Sequence, residues 1–421
     1  MFDTLKKAWR IPDLRKKIIF TLLMLVIFRL GANIPVPGVS REKLLAMAGG
    51  AREGFLGFFS LMSGGAFANF TMFALGISPY ITATIVMQLL QIAIPSLEAL
   101  SREGEAGRRK IAQYSRYLTV LLAFVQALAL SLTWYRSAFY EFNFVSIAVA
   151  VLSLTAGTAF LMYLGEKINE HGIGNGISLF IFAGIVAQLP MSAYGMVFRV
   201  IAGQVNVLSL LAFLVVALLI IVGVIMIQEG SRKIPVQYSK RVVGRKMYGG
   251  HASNIPLKVN QTGVIPVIFA MSILMLPITL ASFFPGSGFA NWMDTYFKSS
   301  SILYNVFYVL LIIFFTYFYT SVTFNPAEIA DNIKKSGGFI PGIRPGRPTE
   351  NHISRTLNRL TIVGAIFLAI IASIPNIVFA YTSLGIRFGG TSLLIIVGVA
   401  LETMKQIEAQ MVMRHYKGFL R

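Results

Sequence analysis

Seventeen carboxylates, four histidines and no cysteine are the groups of this 421-residue chain best suited to acid–base, metal or thiol chemistry. Their positions exclude most of it. Without cysteine there are no disulfides, thiolate nucleophiles or Cys-ligated metals. His171, His251, His352 and His415 all fall outside the apolar runs, so a metal site within the membrane is not expected. No acidic residue lies near the middle of an apolar run; Glu402 and Glu408 come closest, toward one end of the last run. Ionisable groups at such places mark proton relays and ion-coupled sites, so their absence argues against a proton-coupled transporter. There is no HExxH, no pair of aspartates inside the apolar runs and no GxxxxGK[ST], which disfavours a membrane protease and a nucleotide hydrolase. GIGNG at 172–176 does not fit GxGxxG and reads as a tight turn. The apolar runs offer only apolar and small polar groups. A ring of such side chains makes no bonds, but it gates a pore by dewetting and grips a passing chain without reading its sequence. No enzymatic activity and no cofactor is expected.

The elements that must position these groups are membrane spans. Hydrophobic residues make up 56% of the chain, charged residues 13%, and mean hydropathy is +0.70; soluble domains carry about 25% charged residues. Ten segments reach the roughly 20 apolar residues needed to cross the hydrocarbon, near 18–34, 74–94, 112–134, 144–165, 177–195, 207–228, 262–284, 302–324, 359–379 and 391–412. They should be helices, because a lipid-exposed open sheet would leave backbone groups unpaired. Arg29, near the far end of the first, is expected to snorkel. Residues 1–17 hold six basic residues and no apolar core, which is not the pattern of a cleavable signal peptide. Loops on the N-terminal side carry 29 Lys and Arg against 7 on the other, which predicts both termini in the cytoplasm.

Ten spans divide into two sets of five, and with an odd number in each the halves face opposite ways, as in inverted repeats. The expected organisation is a basic cytoplasmic segment 1–17, an N-terminal half 18–195, a C-terminal half 196–412 and a tail 413–421. The C-terminal half carries two long basic cytoplasmic loops, 229–261 and 325–359. The alternation in IPVQYSKRVV suggests a hairpin in the first. These loops are read either as topology signal or as a docking surface for something acidic: a partner protein, anionic lipid or ribosomal RNA.

One stretch fits no span. Residues 54–73, GFLGFFSLMSGGAFANFTMF, are apolar and uncharged but broken by Gly64 and Gly65. Such a piece is tolerated at membrane depth only inside protein or against a cavity. Gly54, Gly57, Gly64 and Gly65 would let the backbone turn sharply.

With SGGAFANF and FALGISPYITATI, further stretches carry a resemblance: EGEAGRRKIAQYSRY, LGEKINEHGIGNGISLFIFAGIV, KRVVGRKMYGG, IPLKVNQTGVIPVIFA, FNPAEIADNIKKSGGFIPGIRPGRPT and FGGTSLLIIVGVALETMKQIEAQ. In this order, over essentially the whole length, the chain resembles the SecY family of channel subunits of the bacterial Sec protein translocase. The resemblance implies an all-α polytopic fold of ten transmembrane helices in two inverted pseudo-symmetric halves of five. It makes the glycine-broken segment a re-entrant half-helix, the plug, closing the outer funnel with Phe55, Leu56, Gly57, Phe58, Phe59, Leu61, Met62, Gly64 and Gly65. It assigns a pore ring to Ile77, Ile81, Ile181, Ile185, Ile268 and Ile395, with Leu394 the rival for the last position. Isoleucine is frequent in most spans, and composition alone would make each of these core or lipid-facing. A lateral gate would lie between the spans at 74–94 and 262–284, with Gln88 on the seam and Asn260 at its cytoplasmic end. Gln88 is expected to find a hydrogen-bond partner. Arg245, Lys246 and Arg344 would meet the SecA motor or the ribosome.

By the same resemblance the function is a protein-conducting channel in the bacterial cytoplasmic membrane. It would translocate unfolded, signal-bearing secretory chains and release apolar segments into lipid, with SecE and SecG subunits beside it and energy from SecA or the ribosome. Two rivals stay open: a secondary transporter for a small solute, and a membrane scaffold or insertase without an aqueous path.

Overall fold

The structure is a computed structural model. It describes residues 2–40, 42–44, 60, 63–132, 136–204, 206–238, 241–243, 246–248, 252–282, 284, 286–297, 301–381 and 390–418. Each of the ten predicted spans is occupied by a helix. In the first half these are α2 (Pro12–Gly31), α3 (Ser78–Ala93), α5 (Glu105–Leu132), α6 (Phe144–His171) and α7 (Gly176–Ile201). In the second they are α8 (Val207–Glu229), α9 (Ile265–Ser282), α11 (Ile302–Thr323), α13 (Arg347–Tyr381) and α14 (Gly390–Gly418). Short helices α1 (Phe2–Arg10), α4 (Pro95–Arg102), α10 (Gly288–Tyr296) and α12 (Pro326–Lys335) connect them. Among the described residues, six helices are long and apolar enough to cross a membrane on those grounds alone, and α3 with α4 would make a seventh span, bent by 104°. The others fall short for visible reasons. Asp13, Arg15, Lys16, Lys17 and Arg29 interrupt α2, α9 is short, and Glu402, Lys405 and Glu408 occupy the end of α14.

Prolines mark several starts: Pro12, Pro79, Pro95 and Pro326 sit at the first positions of α2, α3, α4 and α12, where the missing N–H costs nothing. Asn175, Asn206, Ser287, Ser301 and Asn325 cap α7, α8, α10, α11 and α12 by accepting backbone N–H groups, which satisfies otherwise unpaired donors.

The two halves repeat one packing scheme. In the first, α3 packs on α5, α5 on α6, α6 on α7, and α2 on both α6 and α7. In the second, α9 packs on α11, α11 on α13, α13 on α14, and α8 on both α13 and α14. These are the same pairs shifted by five spans, as inverted repeats require. The halves meet where α3 and α5 touch α9, and where α7 and α1 touch α14. One large apolar cluster runs through both and includes Phe28, Ile81, Phe180, Val267, Tyr308 and Leu394.

The first long basic loop is a ribbon. β1 (Ser231–Tyr238) pairs antiparallel with β4 (Ala252–Lys258), and β2 (Arg241–Val243) with β3 (Lys246–Tyr248). The hairpin is therefore larger than IPVQYSKRVV, which supplies only the outgoing arm. β5 (Gly338–Phe339), from the second loop, adds to the free edge of β1 and ties the two loops over a small core of Ile234, Val236, Leu257, Ile333, Ile340 and Ile353.

Candidate channel constriction and its closures

The six ring positions come from four helices and both halves. Ile77 is the N-cap residue of α3 and Ile81 lies one turn in; Ile181 and Ile185 are one turn apart on α7; Ile268 is on α9 and Ile395 on α14. All six belong to the single large apolar cluster. Ile77, the most exposed, is 7% exposed, and Ile185 and Ile395 are fully buried. Leu394 is as deeply buried in the same cluster, so burial does not separate it from Ile395. A branched chain at i and i+4 presents two layers on one helix face. The six isoleucines thus lie buried in one apolar cluster to which both halves contribute.

Against this cluster lies the end of the glycine-broken segment. Phe55, Leu56, Gly57, Phe58, Phe59, Leu61 and Met62 lie outside the described residues; Gly64 and Gly65 lie within them. From Ser63 to Ile77 the chain is a series of turns, largely buried. The expected half-helix therefore does not extend through 63–73, and α3 begins at Ser78, not 74. The reason is the room the spans leave for bare backbone. A Cβ on Gly157 of α6 would stand 2.0 Å from the Met72 carbonyl oxygen, and one on Gly31 of α2 would stand 2.1 Å from the Phe73 ring. Phe73 stacks on Phe28 at 6.2 Å and on Phe160 at 6.2 Å. Backbone polar groups are paired locally: Val36 N–H donates to the Phe70 carbonyl (3.1 Å), and Met72 N–H to that of Ile34 (3.0 Å). Buried polar backbone survives in an apolar medium only when paired in this way.

Two side chains from the spans hold the start of this segment. Arg29 Nη1 donates to the Gly64 carbonyl oxygen at 3.0 Å. Gln188 Nε2 donates to the Ser60 carbonyl oxygen at 2.5 Å, which also accepts from Gly65 N–H at 2.6 Å. Arg29 thus turns to protein and is not free to snorkel. Gly64 has φ +65°, and a Cβ there would lie 2.8 Å from Arg29 Nη1 and 3.1 Å from Gly184 Cα. Gly184 stands between the ring positions Ile181 and Ile185.

At the seam, α3 and α9 contribute to the same apolar cluster. At Gln88 the buried Oε1 has no partner among the described residues. Asn260 is 5% exposed, and its hydrogen bonds are local. Nδ2 donates to the Gly263 carbonyl at 3.0 Å and Oδ1 accepts from Thr262 Oγ1 at 3.2 Å, which shapes the turn into α9.

On the cytoplasmic side, Arg245 lies outside the described residues, next to Lys246, the first residue of β3, which pairs with Val243. Lys246 stands where the β2–β3 pairing of the ribbon closes. Arg344 is exposed. Its carbonyl accepts from Thr349 Oγ1 at 2.9 Å, and with Lys334, Phe339 and Pro345 it borders an open basin of about 600 Å³.

The sequence did not single out Gln188, nor Thr21, Gln406 and Gln410, which tie the GIGNG turn and α2 to α14. The one available signal was their chemistry: uncompensated polar side chains inside or beside apolar spans. The turn itself is as expected, with Gly174 at φ +90°.

Comparison with known proteins agrees with this geometry. The SecY family model matches residues 71–404. The protein translocase subunit SecY of Halalkalibacterium halodurans is 49% identical over 100% of both chains. Two solved structures share the fold. One is of a SecY protein whose plug domain is described as stabilizing the closed state of the translocation channel and maintaining a membrane seal; it is 22% identical, with TM-score 0.67 over 94% of this chain and 92% of that chain. The other is Sec61 in the canine ribosome-channel complex from the endoplasmic reticulum, 22% identical, with TM-score 0.65 over 94% of this chain and 93% of that chain. With a full-length relative at this identity and ten spans in two matching halves, the chain belongs to the SecY family of translocase channel subunits.

Proposed function

We propose that the chain is the conducting subunit of a protein translocase in the bacterial cytoplasmic membrane, with both termini in the cytoplasm. It passes unfolded secretory polypeptides through the isoleucine constriction and releases apolar segments sideways between α3 and α9. The observation that carries this reading is one buried apolar cluster drawn from helices of both halves, with irregular, glycine-turned backbone packed against it. A small-solute transporter would need a compact polar site at mid-membrane. Here the centre is apolar, which suits any extended chain and no particular solute.

In this reading Ile77, Ile81, Ile181, Ile185, Ile268 and Ile395 form the gasket and residues 54–73 the plug. Gln88 and Asn260 belong to the gate. SecE clamps the halves and SecG joins them. Arg245, Lys246 and Arg344 take the carboxylates of SecA or the phosphates of ribosomal RNA, either of which suits a guanidinium. An exposed Arg344 beside Pro345 is held outward for that contact. Energy comes from the partner.

Protease protection in vesicles tests both the channel and the docking loop. The chain is reconstituted with SecE, then given SecA, ATP and a labelled unfolded secretory protein. ATP-dependent protection is expected with the parent chain and at least tenfold less with Arg344→Glu. Protection kept in the variant would remove Arg344 from docking. None with the folded parent would overturn the channel reading.

A further inference from the structure

We propose that Arg29 and Gln188 form a two-point polar latch that holds the plug shut, positioning it against the constriction until a translocating chain displaces it. The proposal rests on the plug reading above and adds the residues that set its closed position. The two side chains come from different spans, α2 and α7, and reach two carbonyls four residues apart, those of Gly64 and Ser60. Both bonds join a side chain fixed in a span to the backbone of the segment. The segment's side chains are therefore not what is recognised; its path is.

The chemistry favours a latch over ordinary packing. A guanidinium at membrane depth is costly unless it is hydrogen-bonded, and a hydrogen bond to a charged donor is about twice as strong as a neutral one. In the closed arrangement Arg29 is half-buried and directed at Gly64. Once the segment leaves, the funnel it vacates admits water, which can solvate the same guanidinium. The charge is thus satisfied in both states, and the latch can release without stranding it. Gly64 completes the arrangement. With φ +65° and a Cβ position 3.1 Å from Gly184 Cα, it brings the latched carbonyl onto α7 between Ile181 and Ile185. Latch and ring therefore share a wall, and a chain that spreads the isoleucines also moves the helix that carries Gln188.

The test is ion conductance of the full chain, co-expressed with SecE, in planar bilayers without substrate. Arg29→Gln, Gln188→Met and the double variant are compared with deletion of residues 54–66. Gln188→Met keeps side-chain volume and guards against a failure of Arg29→Gln to fold. The expected result is a resting open fraction raised about tenfold by either single change and further by both, approaching the deletion, with translocation of a signal-bearing protein retained. Arg29→Lys, which keeps charge and one donor, should fall between parent and Arg29→Gln. A deletion that leaks beside tightly sealed variants would overturn the latch and leave the plug standing. A deletion that does not leak would remove the plug, and the latch with it.

Discussion

The halves of this protein touch in two regions, and the two are built from different chemistry. At the seam, α3 and α9 meet through an apolar cluster, and the buried Gln88 oxygen has no partner among the described residues. At the opposite junction, the GIGNG turn is bonded on both sides. Ile173 N–H donates to Thr21 Oγ1 of α2 at 3.0 Å, and Gly174 N–H donates to Gln406 Oε1 of α14 at 3.0 Å. Lys17 Nζ donates to Gln410 Oε1 at 3.3 Å, and Ala8, Leu14, Ile173 and Ile407 pack beside them. In lipid, apolar helix contacts gain little over contact with acyl chains, so an apolar segment can replace one side of the seam at small cost. Parting the junction would break the Gly174–Gln406 and Lys17–Gln410 bonds and leave the half-buried Gly174 N–H to find another acceptor. On the proposed reading, this difference makes the seam the side that opens and the junction the side that holds.

The largest effect is expected beside the junction, inside the first half, where α6 and α7 leave no spare volume. A Cβ at Gly176 would lie 2.2 Å from the Gly165 carbonyl oxygen, a backbone atom that cannot rotate away. Gly176→Val should destabilise by about 3 kcal/mol or more, read as loss of folded protein after detergent extraction. Normal yield and melting temperature would mean that α6 and α7 separate freely there, and the GIGNG turn would be no rigid base for the junction.

A smaller loss is expected from Gln406→Leu. It removes the acceptor for the half-buried Gly174 N–H without a backbone clash, so the loss should be about 1 kcal/mol, the low end for an unpaired donor. The variant should melt lower than the parent. If the tie also restrains the halves, the variant should insert weakly apolar signal segments more readily. A lower melting temperature with unchanged signal stringency would keep the bond as structural and remove it from the mechanism.

How much of this was legible beforehand follows from what each feature depends on. The spans were readable because hydropathy is a property of one segment. Their polar extensions were not: α13 begins at Arg347 and α14 runs to Gly418, since a helix can continue past the hydrocarbon where apolarity no longer marks it. The turns through 63–77 depend on Gly31, Gly157 and Gly184 in three other helices, and no local pattern carries that. The type of the ring residues could be read from the sequence, but their convergence from four helices came from resemblance and not from periodicity. Arg29 was visible as a charge in an apolar run, but its partner was not, because a backbone carbonyl leaves no mark in sequence.

The sharpest test of the comparison is the smallest change, and its sign is opposite to the others. Replacing Gln88 by leucine removes a buried oxygen that has no partner among the described residues, in a helix whose facing surface is apolar. Where an orphaned polar atom is exchanged for an apolar group of similar size, the change is neutral or stabilising. Gln88→Leu should therefore hold or raise the melting temperature, by an amount equivalent to about 1 kcal/mol. It should also close the seam more firmly, so that marginal signal segments are rejected while strongly apolar ones still enter. That pairing of higher stability with stricter admission is the opposite of what Gln406→Leu should give at the junction. If Gln88→Leu instead melts lower, the glutamine holds the seam through a bond of its own. The two regions would then differ in strength only, and the seam would open by breaking a polar tie, as the junction would have to.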